Sequence, residues 1–330
     1  MKLHFNLPPT FFTHPQLSRH FERAASRFET SVSSADKIED LLPHLRDADG
    51  VLMWAWPQFS PEILAQCERL RWAGFLDVGR ETARVLLEGG VSVSLSRRAW
   101  SPAVAELALG LLLASLRKIP QHHASFSSRT ENWAQTFPAD IDPHERELSG
   151  MTVGIVGLGG IGARLAGLLA PFEGEILAFD PFCTPENAAR VGAKLVELEE
   201  LAQKCEAVVL CAATTPETQG LWSAACIEKM PRGAIFVNVS RWQNADGTAL
   251  LARLQKREIY GAFDIFEPEP LPHDSILREL PNVVLTPHRG GGIFPSIHRH
   301  FEWLLGDFEA FTEGKPPKFG VNESILPLLG

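Results

Sequence analysis

Apolar residues in the second half of the chain form short continuous runs rather than an alternating pattern. From Met151 onward the runs are MTVGIVG, GEILAFD, AKLVE, AVVLCAA, GAIFVNVS, IYGAFDIF and NVVLTPH. Segments of helical periodicity, including IGARLAGLLAPF, LEELAQKC and TALLARLQKRE, lie between most of them. Strands that are apolar throughout are typical of a parallel sheet with helices on both faces. This half of the chain is therefore predicted to be an α/β domain with a doubly wound parallel sheet.

The first hundred residues show a weaker form of the same alternation. Candidate strands are KLHFNL, GVLMWA and VSVSL, and candidate helices are PQLSRHFERAA and SPEILAQCERL. The pattern predicts a second, smaller α/β unit ahead of the larger one.

A long apolar helix is predicted over residues 101–120. Ser101 is a favoured type of N-cap residue, and proline, here Pro102, is favoured at the first helical position. Because apolar residues occupy almost every face of this helix, we expect it to be buried inside a domain or against a partner subunit. The polar stretch 127–150 is predicted to be a long connection, and residues 297–314 a final helix.

Composition and charge exclude several classes of partner. The 330 residues are 45% hydrophobic and carry a net charge of −9, which argues against nucleic acid or an anionic membrane as the main partner. Five cysteines without C-x-x-C spacing suggest neither a disulfide framework nor a metal site. The N-terminus lacks an apolar leader, and the apolar stretch Ala103–Leu116 falls short of the roughly 20 residues of a membrane span. A cytoplasmic location is expected.

A glycine-rich turn follows the first strand of the larger domain. Gly157, Gly159 and Gly162 form a G-x-G-x-x-G motif between the strand MTVGIVG and a predicted helix, which is the context that a dinucleotide-binding motif requires. The first glycine permits the tight turn, the second allows the backbone to approach a pyrophosphate, and the third lets helix and strand pack closely. The helix N-terminus also offers N–H groups to phosphates. A Rossmann dinucleotide-binding domain is therefore predicted.

Asp180 ends the next strand, 18 residues after Gly162 (180 − 162). A carboxylate at this place can bind both ribose hydroxyls and would repel a 2′-phosphate, which favours NAD over NADP. The alternative is that Asp180 and Pro181 only form a turn.

Three charged groups stand at the ends of three later strands. Arg241 ends one strand, Glu267 and Glu269 follow the next, and His288 follows the last. Ligands of doubly wound sheets bind beyond the C-terminal ends of the strands. An arginine can hold a substrate carboxylate, an imidazole can exchange a proton with a carbonyl or hydroxyl oxygen, and a carboxylate can orient the imidazole. Taken singly, each group also has an ordinary interpretation as a surface charge.

Residues 148–292 resemble the D-isomer-specific 2-hydroxyacid dehydrogenase family. The matching stretches are ELSGMTVGIVGLGGIGARLA, TTPETQGL, MPRGAIFVNVSR, GAFDIFEPEPLP and NVVLTPH. The resemblance implies hydride transfer between NAD and a D-2-hydroxy acid or 2-keto acid, with Arg241 on the substrate carboxylate, His288 as acid–base group and Glu269 as its partner. Asp264 resembles the residue that contacts the nicotinamide carboxamide.

The resemblance also implies the domain organisation. An NAD-binding Rossmann domain is expected over 101–296, and a smaller flavodoxin-like α/β substrate domain is expected from 1–100 together with 297–330. Helix 101–120 resembles the helix that forms the family's homodimer. The expected cofactor contacts are Gly157, Gly159, Gly160, Ile161, Gly162, Asp180, Pro181, Cys211, Ala212, Ala213, Val239, Ser240, Asp264, His288 and Gly290.

The sequence departs from the family pattern at four places. Trp242 stands where the family usually has glycine, Cys211–Ala213 where it often has His-x-Pro, and Trp100 where it usually has asparagine. The family's N-terminal loop is shortened to FLDVGRE, in which Val78 and Gly79 are the candidate backbone donors to the substrate carboxylate.

Four tryptophans lie in loops that the family fold would bring towards the substrate. As a set, they suggest an apolar pocket and a 2-keto acid with a hydrophobic side chain, although core packing is the simpler explanation for each. The tryptophans are Trp54, Trp56, Trp100 and Trp242.

Two other functions remain open. One is a non-catalytic NAD(H)-responsive binding protein, since some relatives act as corepressors. The other is a family dehydrogenase of another small donor, such as formate or phosphite. The presence of Arg241, Glu269 and His288 argues against the first, and the aromatic loops suit such small anions poorly.

Overall fold

A computed structural model describes residues 1–54, 57–133 and 135–329. The chain divides into two compact units, which we call unit 1 (Met1–Ala99 with Ile293–Gly330) and unit 2 (Trp100–Gly292). The boundaries expected from sequence lie one residue away at the first junction and four residues away at the second.

Unit 1 is built on a five-stranded parallel sheet with the order β2-β1-β3-β4-β5. This is the flavodoxin-like strand order, so the expected fold of the smaller unit is confirmed. Its strands are β1 Lys2–Asn6, β2 Glu29–Ser33, β3 Gly50–Met53, β4 Trp72–Phe75 and β5 Ser92–Leu95. Its helices are α1 Thr10–Thr13, α2 Ser18–Ala25, α3 Ile38–Leu45, α4 Pro61–Leu64, α5 Arg80–Glu88 and, after unit 2, α13 Phe294–Thr312.

Three elements of unit 1 differ from the sequence prediction. The edge strand β2 and the inner strand β4 were not predicted. The predicted helix SPEILAQCERL is helical only over α4, because the chain then turns and buries Cys67 and Leu70 in the core. The missed edge strand is polar and partly exposed, so no apolar run marks it in the sequence.

Unit 2 is built on a seven-stranded parallel sheet with the order β12-β11-β10-β9-β6-β7-β8. The order reverses at β6, as in a Rossmann fold, and all seven predicted strands are present. The strands are β6 Val153–Val156, β7 Ile176–Phe179, β8 Ala193–Leu195, β9 Ala207–Leu210, β10 Ile235–Asn238, β11 Tyr260–Phe263 and β12 Val283–Leu285. The helices are α6 Ser101–Leu116, α7 Ile119–Ser128, α8 Gly160–Leu169, α9 Pro185–Arg190, α10 Leu198–Lys204, α11 Ala224–Lys229 and α12 Gly247–Gln255.

Successive residues of the central strands enter two different apolar clusters. In β10, Ile235 and Val237 pack with α6 and α8, whereas Phe236 packs with residues of α10, α11 and α12. Because side chains alternate across a strand, the clusters cover the two faces of the sheet. This burial on both faces explains why the strands are apolar throughout.

The start and end of α6 differ from the prediction. Ser101 is not the N-cap, because a 3₁₀ turn over Arg97–Trp100 leads directly into the helix. The helix ends at Leu116 rather than near residue 120, and α7 begins at Ile119.

The continuous helical stretch Arg97–Leu116 has 20 residues and is apolar enough to cross a membrane by length and composition. The apolar stretch Ala103–Leu116, on which the sequence expectation rests, is only part of this helix. Half of this stretch is buried inside the structure, and α6 packs against α8 and strands β10, β11 and β12. These contacts are those of a core helix in a globular domain.

Candidate active site at the strand ends of unit 2

The three charged groups predicted from sequence follow three neighbouring strands. Arg241 comes after β10, Asp264 and Glu269 after β11, and His288 after β12, and these strands pair in parallel. Their C-terminal ends therefore lie at the same edge of the sheet. The backbone joins two of the loops directly, because Asp264 N donates to Asn238 O at 3.2 Å.

His288 pairs with Glu269. The Nδ1 atom of His288 lies 2.7 Å from Oε2 of Glu269, and the two side chains are 45% and 35% exposed. With Nδ1–H donating to the carboxylate, the proton on Nδ1 is fixed and Nε2 is left to exchange protons with a ligand. His288 also has a φ of 50°, in the left-handed region that few non-glycine residues adopt. Such backbone strain persists only where the surroundings hold it, and it is common at functional sites.

The nearby Glu267 and Glu269 have different partners. Glu269 accepts a second hydrogen bond through Oε1, from the backbone N–H of Phe266 at 2.8 Å. Glu267 instead accepts from Nε2 of Gln243, which follows Arg241. The geometry therefore assigns Glu269, and not Glu267, to the histidine.

Asp264 is buried and bonds to residues on both sides of His288. Its Oδ1 accepts from Thr286 Oγ1 at 2.6 Å and from Arg289 N at 2.8 Å, and its Oδ2 accepts from Gly290 N at 2.8 Å. These bonds fix the turn that gives His288 its positive φ. The nicotinamide contact implied by the family resemblance stays a prediction, but the structure adds this positioning role.

Arg241 is exposed at the end of β10. Nη1 donates to the carbonyl of Ser240 at 2.8 Å, and the Arg241 carbonyl accepts from Asn238 Nδ2 at 3.0 Å. Among the described residues no other acceptor bonds to the guanidinium, so its remaining N–H groups can receive an anion. A carboxylate is the anion that matches the planar guanidinium best.

The glycine loop has the shape that a dinucleotide requires. Gly157 has a φ of 92°, and a Cβ there would lie 2.6 Å from Cα of Ala212. A Cβ on Gly162 would lie 2.1 Å from the carbonyl oxygen of Gly157, whereas one on Gly159 would meet no atom within 4 Å. Two glycines are thus required by the protein itself, and Gly159, the exposed N-cap of α8, leaves open space where phosphates can approach. Gly160 and Ile161 form the first turn of that helix.

Asp180 braces the glycine loop. One carboxylate oxygen accepts from Leu158 N at 2.7 Å and the other from Phe182 N at 2.9 Å. Asp180 is half-buried, and Pro181 beside it is exposed. The carboxylate therefore holds the end of β7 against the loop, and its remaining lone pairs are available for ribose hydroxyls.

The loop after β9 lies against the glycine loop. Cys211 and Ala213 are half-buried and Ala212 is buried, while Val239 and Ser240 are buried at the end of neighbouring β10. Burial raises the pKa of the Cys211 thiol to about 12, so the thiol stays protonated and is unsuited to act as a nucleophile.

Two tryptophans that depart from the family pattern each pack over a glycine. A Cβ on Gly247 would lie 2.8 Å from Nε1 of Trp242, and a Cβ on Gly291 would lie 2.6 Å from Trp100. Trp242 also contacts Phe263 edge to face, with ring centroids 5.4 Å apart. Packing within unit 2 therefore accounts for both tryptophans.

The remaining predicted substrate residues belong to unit 1. The half-buried Trp54 packs against Phe11 with ring centroids 6.0 Å apart, and Trp56 lies outside the described residues. Val78 N is already engaged, because it donates to Oδ1 of Asp77 at 3.0 Å. Gly79 is the N-cap of α5, and its N–H has no acceptor among the described residues. A substrate carboxylate that accepts from Val78 N would have to displace the carboxylate of Asp77. The sequence did not indicate this competing hydrogen bond.

Sequence reasoning missed the amides that fix these loops. Asn238 accepts from the N–H and the hydroxyl of Ser240 at 3.0 and 2.9 Å, and the buried Asn244 donates to Ala212 O at 3.1 Å. Buried asparagines at strand ends are the one signal that could have found them, since a buried amide is retained only where it is hydrogen-bonded. No cluster of three or more metal-ligating side chains occurs in the parts of the chain that the structure describes.

Comparison with protein-family models matches residues 109–290, more than half of the chain, to the D-isomer specific 2-hydroxyacid dehydrogenase, NAD binding domain. The matched segment includes the glycine loop, Arg241 and Glu269, and it ends two residues after His288.

Individual relatives agree with this match. The D-3-phosphoglycerate dehydrogenase of Methanocaldococcus jannaschii is 33% identical over 266 residues, which cover 79% of this chain and 49% of that protein. The chain spans about half the length of the curated phosphoglycerate dehydrogenases it matches. A putative 2-hydroxyacid dehydrogenase of Staphylococcus saprophyticus is 31% identical over 291 residues, which cover 86% of this chain and 89% of that protein. The crystal structure of a phosphoglycerate oxidoreductase from Rhizobium etli gives a TM-score of 0.81 at 25% identity, with 98% of each chain covered.

Proposed function

Because the chain belongs to the D-isomer-specific 2-hydroxyacid dehydrogenase family, we propose that it is an NAD-dependent oxidoreductase that interconverts a 2-keto acid and a D-2-hydroxy acid. The observation that carries this proposal is the pair formed by His288 and Glu269, whose Nδ1 and Oε2 atoms lie 2.7 Å apart. These residues follow β12 and β11, and β11 pairs with β10, the strand that precedes Arg241. The glycine loop and Asp180 would hold NAD(H), which would supply the hydride for reduction of the keto acid and take it up in the reverse direction.

The protein's own groups bind the substrate and move the proton. Arg241 holds the substrate carboxylate through the N–H groups that Ser240 does not use. His288 donates a proton from Nε2 to the carbonyl oxygen during reduction and takes it from the hydroxyl during oxidation. Glu269 keeps the imidazole oriented through Nδ1 and places a negative charge beside it.

The preferred cofactor is NAD. Asp180 stands at the end of β7, where its carboxylate would bind the ribose hydroxyls and repel the 2′-phosphate of NADP. The glycine loop supports binding of the pyrophosphate, because Gly159 leaves open space at the N-terminus of α8.

The substrate proposal stops at the class of 2-keto acids. An apolar pocket was inferred from four tryptophans, and two of them, Trp100 and Trp242, already have packing partners within unit 2. Trp54 contacts Phe11 within unit 1. The proposal therefore names the 2-keto acid and does not assign its side chain.

A panel of keto acids tests the proposal. Phenylpyruvate, pyruvate, glyoxylate and hydroxypyruvate are each assayed with NADH and with NADPH, and kcat/KM is compared. We expect turnover of at least one 2-keto acid, with NADH preferred. Absence of turnover with all four acids and both cofactors would contradict the proposal, and a clear preference for glyoxylate would exclude a hydrophobic substrate side chain.

We further propose that the protein is a cytoplasmic homodimer that associates through α6 and the segment after it. The described part of segment 119–141 exposes five large apolar side chains, and clustered exposure of this kind is typical of an interaction surface. These residues are Ile119, Phe126, Trp133, Phe137 and Ile141.

Light scattering after size exclusion tests the dimer. The wild-type chain of 36.4 kDa is expected to run at twice its mass, and the double variant Phe126→Glu/Trp133→Glu at its monomer mass. A wild-type protein that is monomeric at micromolar concentration would contradict the dimer without affecting the proposed reaction.

A further inference from the structure

The loop between Asp264 and Pro270 connects to two different parts of the site. Glu269 reaches His288 at 2.7 Å, whereas Glu267 accepts a hydrogen bond from Nε2 of Gln243. Gln243 lies two residues after Arg241, inside a 3₁₀ turn over Trp242–Asn244. Glu267 thus joins the loop of the histidine's partner to the turn of the arginine.

The turn after Arg241 is fixed on its other side by the backbone. Gly220 N donates to Gln243 O at 2.8 Å, and Trp222 N donates to Asn244 O at 2.9 Å. Both bonds tie the turn to the segment that follows β9. The bond from Gln243 to Glu267 gives the turn a second attachment, on the side of β11.

The indole of Trp242 fills the space beneath the same turn. It contacts Phe263, the last residue of β11, edge to face at an interplanar angle of 65°. It also occupies the position of a side chain on Gly247, where a Cβ would lie 2.8 Å from Nε1. Because the indole is packed below it, the turn has little freedom to move towards the sheet. The turn can then move mainly along the sheet surface, and the hydrogen bond from Gln243 to Glu267 restricts that movement.

We propose that the hydrogen bond between Gln243 and Glu267 holds the 3₁₀ turn after Arg241 against the loop that carries Glu269. We call this pair of side chains the clasp. The packed indole of Trp242 supports the turn on the side of the sheet. Gln243 and Glu267 are then positioning residues: they act on substrate through Arg241 and Glu269 and do not touch it. The inference rests on the proposed function for its kinetic consequence, but the clasp itself is a property of the free protein.

Substitutions at Gln243 and Glu267 distinguish the effect of the hydrogen bond from the effect of side-chain size. Gln243→Leu removes the donor, and Gln243→Glu replaces the bond with two facing carboxylates. Glu267→Gln keeps an acceptor oxygen, and the double variant Gln243→Glu/Glu267→Gln restores the bond with donor and acceptor exchanged. Gln203→Leu, at an exposed glutamine of α10, is the matched control.

Loss of the clasp is expected to act on substrate binding more than on the chemical step. Because Gln243 and Glu267 are exposed and water competes for their hydrogen bond, Gln243→Leu and Gln243→Glu should raise KM for the 2-keto acid by about two- to threefold. The value of kcat should change by less than about twofold, and Kd for NADH should not change. Glu267→Gln, the double variant and the control should keep KM near the wild-type value.

Hydrogen exchange supplies a measurement that needs neither cofactor nor turnover. Asn244 N and Ala245 N donate within the turn, to Arg241 O at 3.3 Å and Trp242 O at 3.1 Å. Both amides should exchange several times faster in Gln243→Leu and in Gln243→Glu, and the double variant should return them to the wild-type rate. A merely structural role would instead lower protection throughout unit 2.

The outcomes separate the clasp from the proposed function. If Gln243→Leu leaves both KM and the exchange of Asn244 and Ala245 unchanged, or if the double variant fails to restore them, the clasp is wrong. If the wild-type protein reduces no 2-keto acid but the exchange rates change as expected, the clasp stands and the proposed reaction fails.

Discussion

The two units bury different kinds of polar group. In unit 2 the buried polar side chains nearest the strand ends are Asn238, Ser240, Asn244 and Asp264, and each bonds to a loop that carries a predicted site residue. In unit 1 the buried polar groups include three imidazoles, and these bond to residues that are not predicted site residues. The imidazoles belong to His4, His20 and His300.

Two of the buried imidazoles in unit 1 join segments that are far apart in the chain. His20 on α2 bonds to His298 on α13 at 2.8 Å, and His300 on α13 bonds to Ser96 Oγ, just past β5, at 2.6 Å. Unit 1 is discontinuous, so these bonds attach its last segment to its first. Buried polar side chains therefore position loops in unit 2 and join separate segments in unit 1. Substitutions in unit 2 should mainly affect the site, and protonation in unit 1 should mainly affect stability.

The largest effect should come from His288→Gln in unit 2. Removal of the acid–base group should lower kcat/KM for a good keto acid by about 10²- to 10⁴-fold. Binding of NADH, followed by fluorescence, should be nearly intact, because glutamine removes no part of the glycine loop. His273→Gln, at an exposed histidine of the same unit, should leave both quantities unchanged. Turnover that survives within a few-fold in His288→Gln would rule out the assigned role.

A pair of glycine substitutions should distinguish the fold of the cofactor loop from its binding function. Gly157→Ala places a Cβ 2.6 Å from Ala212 Cα at a φ of 92°, so both the melting temperature and the affinity for NADH should fall. Gly159→Ala meets no protein atom within 4 Å. It should keep the wild-type melting temperature but weaken NADH binding by about tenfold, or 1.4 kcal/mol. Wild-type NADH affinity in Gly159→Ala would mean that the pyrophosphate does not approach this glycine.

Much of unit 2 could be predicted from the sequence for a physical reason. Its strands are buried on both faces, so they appear in the sequence as apolar runs such as GAIFVNVS. Arg241, Asp264 and His288 lie within three residues of the ends of such strands. In unit 1 the edge strand ETSVS is polar and partly exposed, so it forms no apolar run that would identify it. The buried strand WAGF is as long as most strands of unit 2, so its length does not explain why it was missed.

The supporting contacts of the site could not be predicted, because they join residues distant in sequence. Asp264 bonds to Thr286, Arg289 and Gly290, which lie 22 to 26 residues further along the chain. The carboxylate that accompanies His288 was assigned to Glu269 by family resemblance, and the separate partner of Glu267 became visible only in the fold. Spacing and residue type cannot show which of two nearby carboxylates meets the imidazole.

Acid should affect unit 1 before unit 2. Burial lowers the pKa of His4 and of His20 to about 4, and that of His300 to about 3. The unfolded chain binds these protons near pH 6.5, so it holds more protons than the folded chain between pH 6.5 and about 4. Stability is therefore full above pH 6.5 and falls as the pH drops through this window, by at most about 1.4 kcal/mol per pH unit for each group.

Hydrogen exchange at several pH values locates this effect. Peptides from unit 1 should lose protection between pH 6.5 and 4 while peptides from unit 2 keep it. His4→Gln removes one of the groups, which bonds to Ser31 and Ser33 at 2.9 and 2.8 Å, and it should make the loss of protection less steep. The exposed His273→Gln should not change the pH dependence. Equal loss in both units would mean that buried imidazoles do not set the acid limit.

A smaller effect on kcat/KM than that of His288→Gln should come from Asp264→Asn. Asparagine keeps one acceptor but turns an NH₂ group towards a backbone N–H of Arg289 or Gly290, which leaves a buried donor unsatisfied at a cost of about 1–3 kcal/mol. The loop should then hold the positive φ of His288 less firmly, so kcat/KM should fall together with the melting temperature. Thr286→Val removes a single bond of 2.6 Å to the same carboxylate and should show a weaker form of both changes. If Asp264→Asn lowered the melting temperature but left kcat/KM unchanged, the buried carboxylate would be joining segments as the imidazoles of unit 1 do, and the contrast between the two units would not hold.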